Sequence, residues 1–282
     1  MTRLFGVIGH PIGHSLSPVM HTAAFRALHL DALYEPFDVA PRFLAPMLRG
    51  LTLAGVEGVN VTVPLKEAVL PLLDRVDPDA RAIGAVNTIV IRNRRTAGYN
   101  TDGIGLRRAL RELGWRKRAA CAIVLGAGGA ARAVAWEMTR SSRCLMIANR
   151  HPGRANALAR WLSTRRPRAC VCVVPLRKLP LEEADLIINA TTVGMRASDG
   201  LLIDPARLRR GTLVYDLVYH RQTPLVREAR RRGCIAANGL SMLLYQGAAS
   251  LRLWLNRRPP LDAMRRALER AATSDMRQAT RP

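Results

Sequence analysis

Short apolar runs recur along this chain, and between most of them lie stretches whose apolar positions fall three or four apart. The runs predict strands and the periodic stretches predict helices. Over the first hundred residues the order is strand 4–9, helix 18–28, strand 33–39, helix 43–51, strand 58–63, short helix 66–73, and a strand-like run 85–92 closed by a basic turn. Near residue 103 the pattern restarts, with helix 104–113, strand 121–125, helix 130–138, strand 144–149, helix 154–164, strand 169–174, apolar run 185–190, strand 213–217 and helix 223–232. Strands spaced by helices predict an α/β protein with mainly parallel sheets, and the second block reads as a doubly wound nucleotide-binding domain. Helices over 241–255 and 261–272 follow, then a polar tail from Thr273 that is expected to fray.

Composition narrows the class. At 282 residues, 49% hydrophobic and 23% charged, the chain suffices for two ordinary globular domains. No apolar run approaches the roughly 20 residues that span a bilayer, and Met1 to Gly9 lack the features of a secretory signal. The expectation is a cytoplasmic protein with no membrane partner. Cys121, Cys144, Cys170, Cys172 and Cys234 are odd in number and lack metal-ligand spacing, so we expect free thiols, mostly small buried hydrophobes, and no metal. The net charge of +23 first suggests a nucleic-acid partner. Lysine, however, occurs only at Lys66, Lys117 and Lys178, and the remaining 41 of 44 basic residues are arginines spread over the whole chain. With no aromatic-rich basic motif, solvated surface charge is the better reading, and no nucleic-acid partner is expected. The same bias singles out Lys66, because arginine cannot replace a lysine that must lose its proton.

Two stretches carry candidate chemistry. Strand 121–125 runs into Gly126-Ala127-Gly128-Gly129-Ala130-Ala131, which opens a helix. Strand, glycine turn and helix start form the arrangement that holds a dinucleotide pyrophosphate, with Ala131 in place of the third small residue. The next strand ends in Asn149-Arg150, with Arg154 shortly after and no Asp or Glu to hold a ribose 2′-hydroxyl. That favours NADP over NAD, since two guanidinium groups suit a 2′-phosphate. In the first half, Asn60 and Thr62 share a strand face, and Lys66 lies just beyond its end. Ser15 and Ser17 follow the first strand, where small polar ligands bind in such sheets, although Ser17 before Pro18 also fits a helix N-cap. Asn87 and Asp102 lie in turn-like segments that they alone could stabilise. Together these residues outline a pocket for a polyhydroxylated substrate with one Lys–Asp pair.

These motifs resemble those of the shikimate dehydrogenase family, in collinear order over nearly the whole chain. The resemblance rests on Pro11 to Pro18, Asn60 to Lys66, Gly84 to Thr88, Asn100 to Gly103, the glycine turn, Asn149-Arg150, Asn189 to Met195, Tyr215 to Tyr219 and Gly239 to Gln246. It implies interconversion of 3-dehydroshikimate and shikimate with NADPH, with Lys66 and Asp102 as the catalytic pair. It further implies that Ser15, Ser17, Asn60, Thr62, Asn87, Tyr219 and Gln246 surround the substrate. Gly126, Ala127, Gly128, Gly129, Ala130, Asn149, Arg150 and Arg154 would hold NADP, with Thr191, Met195, Leu217 and Gly239 toward the nicotinamide. The implied organisation is a discontinuous substrate domain, residues 1–103 plus 238–282, and a Rossmann-type NADP domain, residues 104–237, in a monomer or homodimer. Thr22, His151, Ser241 and Tyr245 depart from the family pattern, the last two beside expected ligand contacts. A quinate or quinate/shikimate dehydrogenase, using NAD or NADP, is the alternative within the superfamily.

Overall fold

In the computed structural model, which describes residues 2–116 and 118–278, Arg3–Gly9 forms strand β1 and helix α1 (Ser17–Ala27) leads to β2 (Ala32–Asp38). Helix α2 (Leu44–Leu53) buries Leu44, Leu48 and Leu51 and leads to β3 (Val56–Val61). β1 lies between β2 and β3, parallel to both. After β4 (Arg75–Val76) and helix α3 (Pro78–Ile83), β5 (Thr88–Arg92) and β6 (Arg95–Tyr99) complete the sheet in the order β2-β1-β3-β5-β6-β4. β5 is antiparallel to both β3 and β6, while β4 is parallel to β6. The basic turn expected after residue 92 is therefore a hairpin. Asn93 and Arg94 take φ of 49° and 59°, the left-handed pair that a tight two-residue hairpin needs.

The helix expected over 66–73 does not form; only a 3₁₀ turn, Leu70–Leu72, lies there. Pro71 has no N–H to continue a helix, and the Lys66 carbonyl accepts instead from the Val86 N–H at 2.8 Å. Helix α3, which the periodicity missed, is six residues long and defined by its ends. Asp77 accepts from the Asp79 N–H, Pro78 opens the first turn, and Gly84 closes it at φ 71°.

The second sheet is fed by α4 (Asp102–Glu112), β7 (Ala119–Leu125), α5 (Gly129–Ser141), β8 (Ser142–Ala148), α6 (Pro152–Arg165), β9 (Cys170–Val173), β10 (Leu186–Asn189), β11 (Leu213–Asp216), α7 (Pro224–Arg231) and β12 (Ile235–Asn238). Its order is β12-β11-β10-β7-β8-β9, with every neighbouring pair parallel. That is the Rossmann order, with its topological switch between β7 and β10. Helices α8 (Leu240–Leu255) and α9 (Leu261–Gln278) end the fold. α9 runs on through the segment expected as a frayed tail, and residues 279–282 lie outside the described ones. The chain divides into two compact units, Met1–Gly105 with Leu243–Pro282, and Leu106–Met242. No helix among the described residues is long and apolar enough to cross a membrane.

All five cysteines are free. Cys121 and Cys234 are buried, but Cys170 is exposed, against the expectation of small buried hydrophobes. The reason is topological: β9 is the edge strand of its sheet.

The first unit carries an aromatic cluster in which His21 stacks on Tyr34 at 4.5 Å, with the Trp254 ring 5.2 Å away. Gly58 makes room for Trp254, because a Cβ there would overlap the indole. His21 is fully buried, and neither ring nitrogen has a hydrogen-bond partner in sound geometry. Burial pushes the imidazole down to about 3, with Asn60 pulling weakly upward. Between that value and an unfolded pKa near 6.5, the unfolded chain binds a proton that the native protein refuses. Stability from this residue is thus present above about pH 6.5 and lost as the pH falls. On going from pH 7.5 to 4.5, the unfolding free energy of the wild type should drop relative to that of His21→Leu by about 3 kcal/mol. Denaturant titrations of both proteins at the two pH values measure it; parallel pH dependences would contradict it.

Candidate active site

Lys66 and Asp102 meet at the carboxyl end of β3. Thr62 N–H bonds the Ile8 carbonyl and Leu65 N–H the Thr62 carbonyl, both at 2.9 Å, so the chain turns tightly after the strand. Leu65, fully buried, anchors that turn, and the Val86 bond to the Lys66 carbonyl holds the lysine backbone. Asp102 opens α4, where the helix end favours negative charge, and its N–H donates to Asn100 Oδ1 at 3.0 Å. Lys66 Nζ donates to Asp102 Oδ2 at 2.6 Å, and the two side chains are only 11% and 4% exposed. A buried ion pair of this kind is costly to desolvate and is weak evidence for a purely stabilising role.

Asn87 holds the other carboxylate oxygen. Its Nδ2 donates to Asp102 Oδ1 at 2.7 Å and approaches Gln246 Oε1 at 3.3 Å, so Gln246, on α8, joins the cluster despite its distance in sequence. Asn60 is nearly fully buried. Its Oδ1 accepts from the Tyr34 hydroxyl at 2.7 Å, and its Nδ2 contacts Asn87 O, Thr88 Oγ1 and Ser250 Oγ. Asn60 therefore has its amide engaged by protein partners. Ser15, Ser17 and Thr62 sit in the same unit, after β1 and β3. Ser17 does not cap α1: it is already the first helical residue, Leu16 at the N-cap makes no side-chain cap bond, and Ser15 Oγ accepts the Ser17 N–H at 3.3 Å from just outside the helix. Tyr219 belongs to the second unit, beyond β11, with its ring edge-on to His220. Two of the four departures from the family pattern, Ser241 and Tyr245, have hydrogen-bond partners. Ser241 Oγ lies 3.0 Å from the Tyr215 hydroxyl, and the Tyr245 hydroxyl accepts from Arg265 at 3.1 Å.

In the second unit the glycine turn follows β7 at the switch point. Gly126 has φ of 119°, and a Cβ there would come within 2.8 Å of the Ala190 carbonyl oxygen, so the protein itself demands glycine. Gly128 is different. Its φ of −93° is ordinary and an added Cβ would meet nothing. No neighbour in the protein requires its missing side chain, so the space fits a group approaching the backbone at the start of α5, as a dinucleotide pyrophosphate does. Ala127, Gly129 and Ala130 continue this turn, and Ala131 is fully buried. Asn149, Arg150 and Arg154 lie at the end of β8 and the start of α6. Both arginines are exposed, and among the described residues neither makes an ion pair. No acidic residue occurs from Asn149 to Arg165. The donor set therefore suits a 2′-phosphate.

Thr191 and Leu217 both bond Asn189, which holds a residue that no sequence motif singles out. Asp216, at the end of β11, is fully buried. Its carboxylate accepts from Asn189 Nδ2 at 2.9 Å, Val218 N–H at 3.0 Å and the Thr223 hydroxyl at 2.7 Å. Burial pushes it up to about 6 against those three donors, so its ionisation costs stability as the pH rises from about 4 through 6. Thr191 Oγ1 donates to Asn189 Oδ1 at 2.7 Å, Leu217 N–H to the Asn189 carbonyl at 2.9 Å, and His220 contacts the Met195 carbonyl at 3.0 Å. Gly239 packs so closely on the Leu217 backbone that no side chain would fit. The only sequence signal for Asp216 is an acid ending a buried strand.

Residues 7–89 match the model of the shikimate dehydrogenase substrate binding domain, and residues 239–269 that of the shikimate 5′-dehydrogenase C-terminal domain. The chain is 48% identical over 278 residues to shikimate dehydrogenase (NADP⁺) of Moorella thermoacetica, covering 96% of this chain and 94% of that protein. It belongs to the shikimate dehydrogenase family. The crystal structure of shikimate 5-dehydrogenase from Thermus thermophilus, in complex with NADP(H) and shikimate, matches with a TM-score of 0.86 at 40% identity, over 95% of this chain and 99% of that one. Quinate dehydrogenase from Corynebacterium glutamicum, in complex with NAD, matches with a TM-score of 0.88 at 33% identity, over 95% and 99%. The first of these neighbours holds NADP(H) with shikimate, and the second, a quinate dehydrogenase, holds NAD.

Proposed function

We propose that this protein reduces 3-dehydroshikimate to shikimate with NADPH and catalyses the reverse reaction with NADP⁺. The observation that carries the reading is the buried 2.6 Å contact between Lys66 and Asp102, in a family whose named members perform this reaction. Bound NADPH supplies the hydride that adds to C3 of the substrate ring. The Lys66–Asp102 pair gives a proton to the developing alkoxide, and takes the hydroxyl proton in the other direction. Ser15, Ser17, Thr62, Asn87 and Gln246 supply hydroxyls and amides suited to a polyol carboxylate, and Tyr219 is assigned to the substrate through the family resemblance. Gly126 to Ala130 hold the pyrophosphate, and Asn149, Arg150 and Arg154 hold the adenosine 2′-phosphate. Thr191, Met195, Leu217 and Gly239 serve the nicotinamide end. The enzyme is assigned to the cytoplasm, as a monomer or homodimer with small-molecule partners.

The quinate and NAD pairing is the rival reading. The missing acid after β8 and the two unpaired arginines favour NADP. The reaction is tested by supplying NADPH dideuterated at C4 with 3-dehydroshikimate. Shikimate deuterated at C3, seen by NMR, is expected; shikimate without deuterium, or no product, would sink the assignment.

A further inference from the structure

The Lys66–Asp102 pair rests on a polar cluster that reaches across the first unit to α8. Asn87 is its hub. The Asn87 Oδ1 accepts the Thr101 backbone N–H at 2.8 Å and the Thr88 hydroxyl at 2.9 Å, while Nδ2 donates to Thr101 Oγ1 at 2.9 Å and to Asp102 Oδ1 at 2.7 Å. A backbone N–H can only donate, so it identifies Oδ1 as the amide atom that faces Thr101, and the Thr88 hydroxyl is the second donor that holds it there. The reversed amide would set an oxygen against the Asp102 carboxylate. Behind Asn87, the Thr88 hydroxyl lies 2.7 Å from Ser250 Oγ, and Ser250 Oγ lies 3.3 Å from Thr101 Oγ1 and accepts from Asn60 Nδ2 at 3.0 Å. Thr88 and Ser250 are both fully buried, on β5 and α8. Neither side chain contacts Lys66 or Asp102.

We infer that Thr88 and Ser250 are positioning residues of the reaction: their paired hydroxyls hold the Asn87 amide in the orientation that aims Asp102 at Lys66. The inference rests on the proposed reaction, and its reasoning is one of counting donors. Buried hydroxyls have no solvent to turn to, so each proton goes to a protein acceptor: that of Thr88 to Asn87 Oδ1, and that of Ser250 to the Gln246 carbonyl at 3.0 Å or to Thr88 Oγ1. Removing the Thr88 hydroxyl takes a donor from Asn87 Oδ1, and removing the Ser250 hydroxyl takes from Thr88 Oγ1 its 2.7 Å partner; either change loosens the amide that donates to Asp102 Oδ1.

The test compares Thr88→Val, which keeps shape and loses the hydroxyl, with Thr88→Ser, which keeps the hydroxyl, and with Ser250→Ala. Thr88→Val and Ser250→Ala are expected to lower kcat about 10-fold or more, with KM for shikimate and for NADP⁺ within about twofold. Thr88→Ser is expected to retain most of the activity. Exchange of the Asn87 side-chain amide protons, followed by ¹⁵N NMR, supplies an arm that needs no substrate. It should quicken in Thr88→Val and Ser250→Ala, and stay slow in Thr88→Ser. Unchanged kcat and unchanged exchange in the first two variants would overturn the inference, as would an equal loss in Thr88→Val and Thr88→Ser, which would mark packing as the cause. If the wild-type protein does not oxidise shikimate, the proposed reaction fails, and the exchange arm still decides whether the two hydroxyls hold the amide.

Discussion

Lys66→Ala is expected to lower kcat for shikimate oxidation by about 10²- to 10⁴-fold while KM changes only a few-fold, the range that general acid–base catalysis supplies. The size follows from the place of the ammonium group. Lys66 Nζ is 2.6 Å from Asp102 Oδ2, and both side chains are nearly withdrawn from water, so bulk solvent is poorly placed to replace them in the proton transfer. The substitution also strands a buried carboxylate, at a stability cost of about 3–5 kcal/mol in comparable sites. Asp102→Asn keeps the shape and removes the charge, and leaves the Lys66 ammonium unpaired in its turn. It should lower kcat comparably, and the double variant should be little worse than either single one, because the pair acts as a unit. Near-normal turnover by a folded Lys66→Ala protein would remove Lys66 from the chemistry.

The second large effect concerns the cofactor. Replacing both Arg150 and Arg154 with alanine is expected to weaken NADP⁺ about 10²-fold and to leave KM for NAD⁺ within about twofold. A hydrogen bond to a charged group contributes roughly 1.5–3 kcal/mol, and exposure places these two toward the lower end. No carboxylate between Asn149 and Arg165 competes for either guanidinium, so their charge is available to a 2′-phosphate. Fluorescence titration with NADPH and NADH reads the difference. Equal losses for both cofactors would show that the arginines hold something other than the 2′-phosphate.

The second sheet was the more legible in sequence, for a physical reason. Its strands are parallel and its central ones are buried on both faces, so runs such as Ala119–Leu125 and Leu186–Asn189 announce themselves by composition alone. β6 does not. Arg95-Thr96-Ala97-Gly98-Tyr99 has small residues where an inward face needs apolar ones, because Gly98 sits against Leu73 and Val86 and leaves no room for a side chain. The Gly126–Ala131 turn was readable because its function and its backbone geometry demand the same residues.

The residues of the acid–base pair could be named from motifs, but not their support. Ser250 is 162 residues from Thr88 and sits in an apolar helix, where a serine carries no signal until α8 is packed against β5. The surroundings of Asn60 are equally hidden: in sequence it only shares a strand face with Thr62, whereas in the fold its amide is engaged by Tyr34, Asn87, Thr88 and Ser250. Sequence periodicity gives a face, and only the fold tells which side chains on it are already satisfied.

The most direct test of the account is a set of initial rates, followed at the nicotinamide absorbance, for NADP⁺ and NAD⁺ with shikimate and with quinate. Fast turnover with shikimate and NADP⁺, and at least about 10-fold lower kcat/KM for the other three combinations, is the predicted result. A higher kcat/KM for quinate, or for NAD⁺, would contradict it.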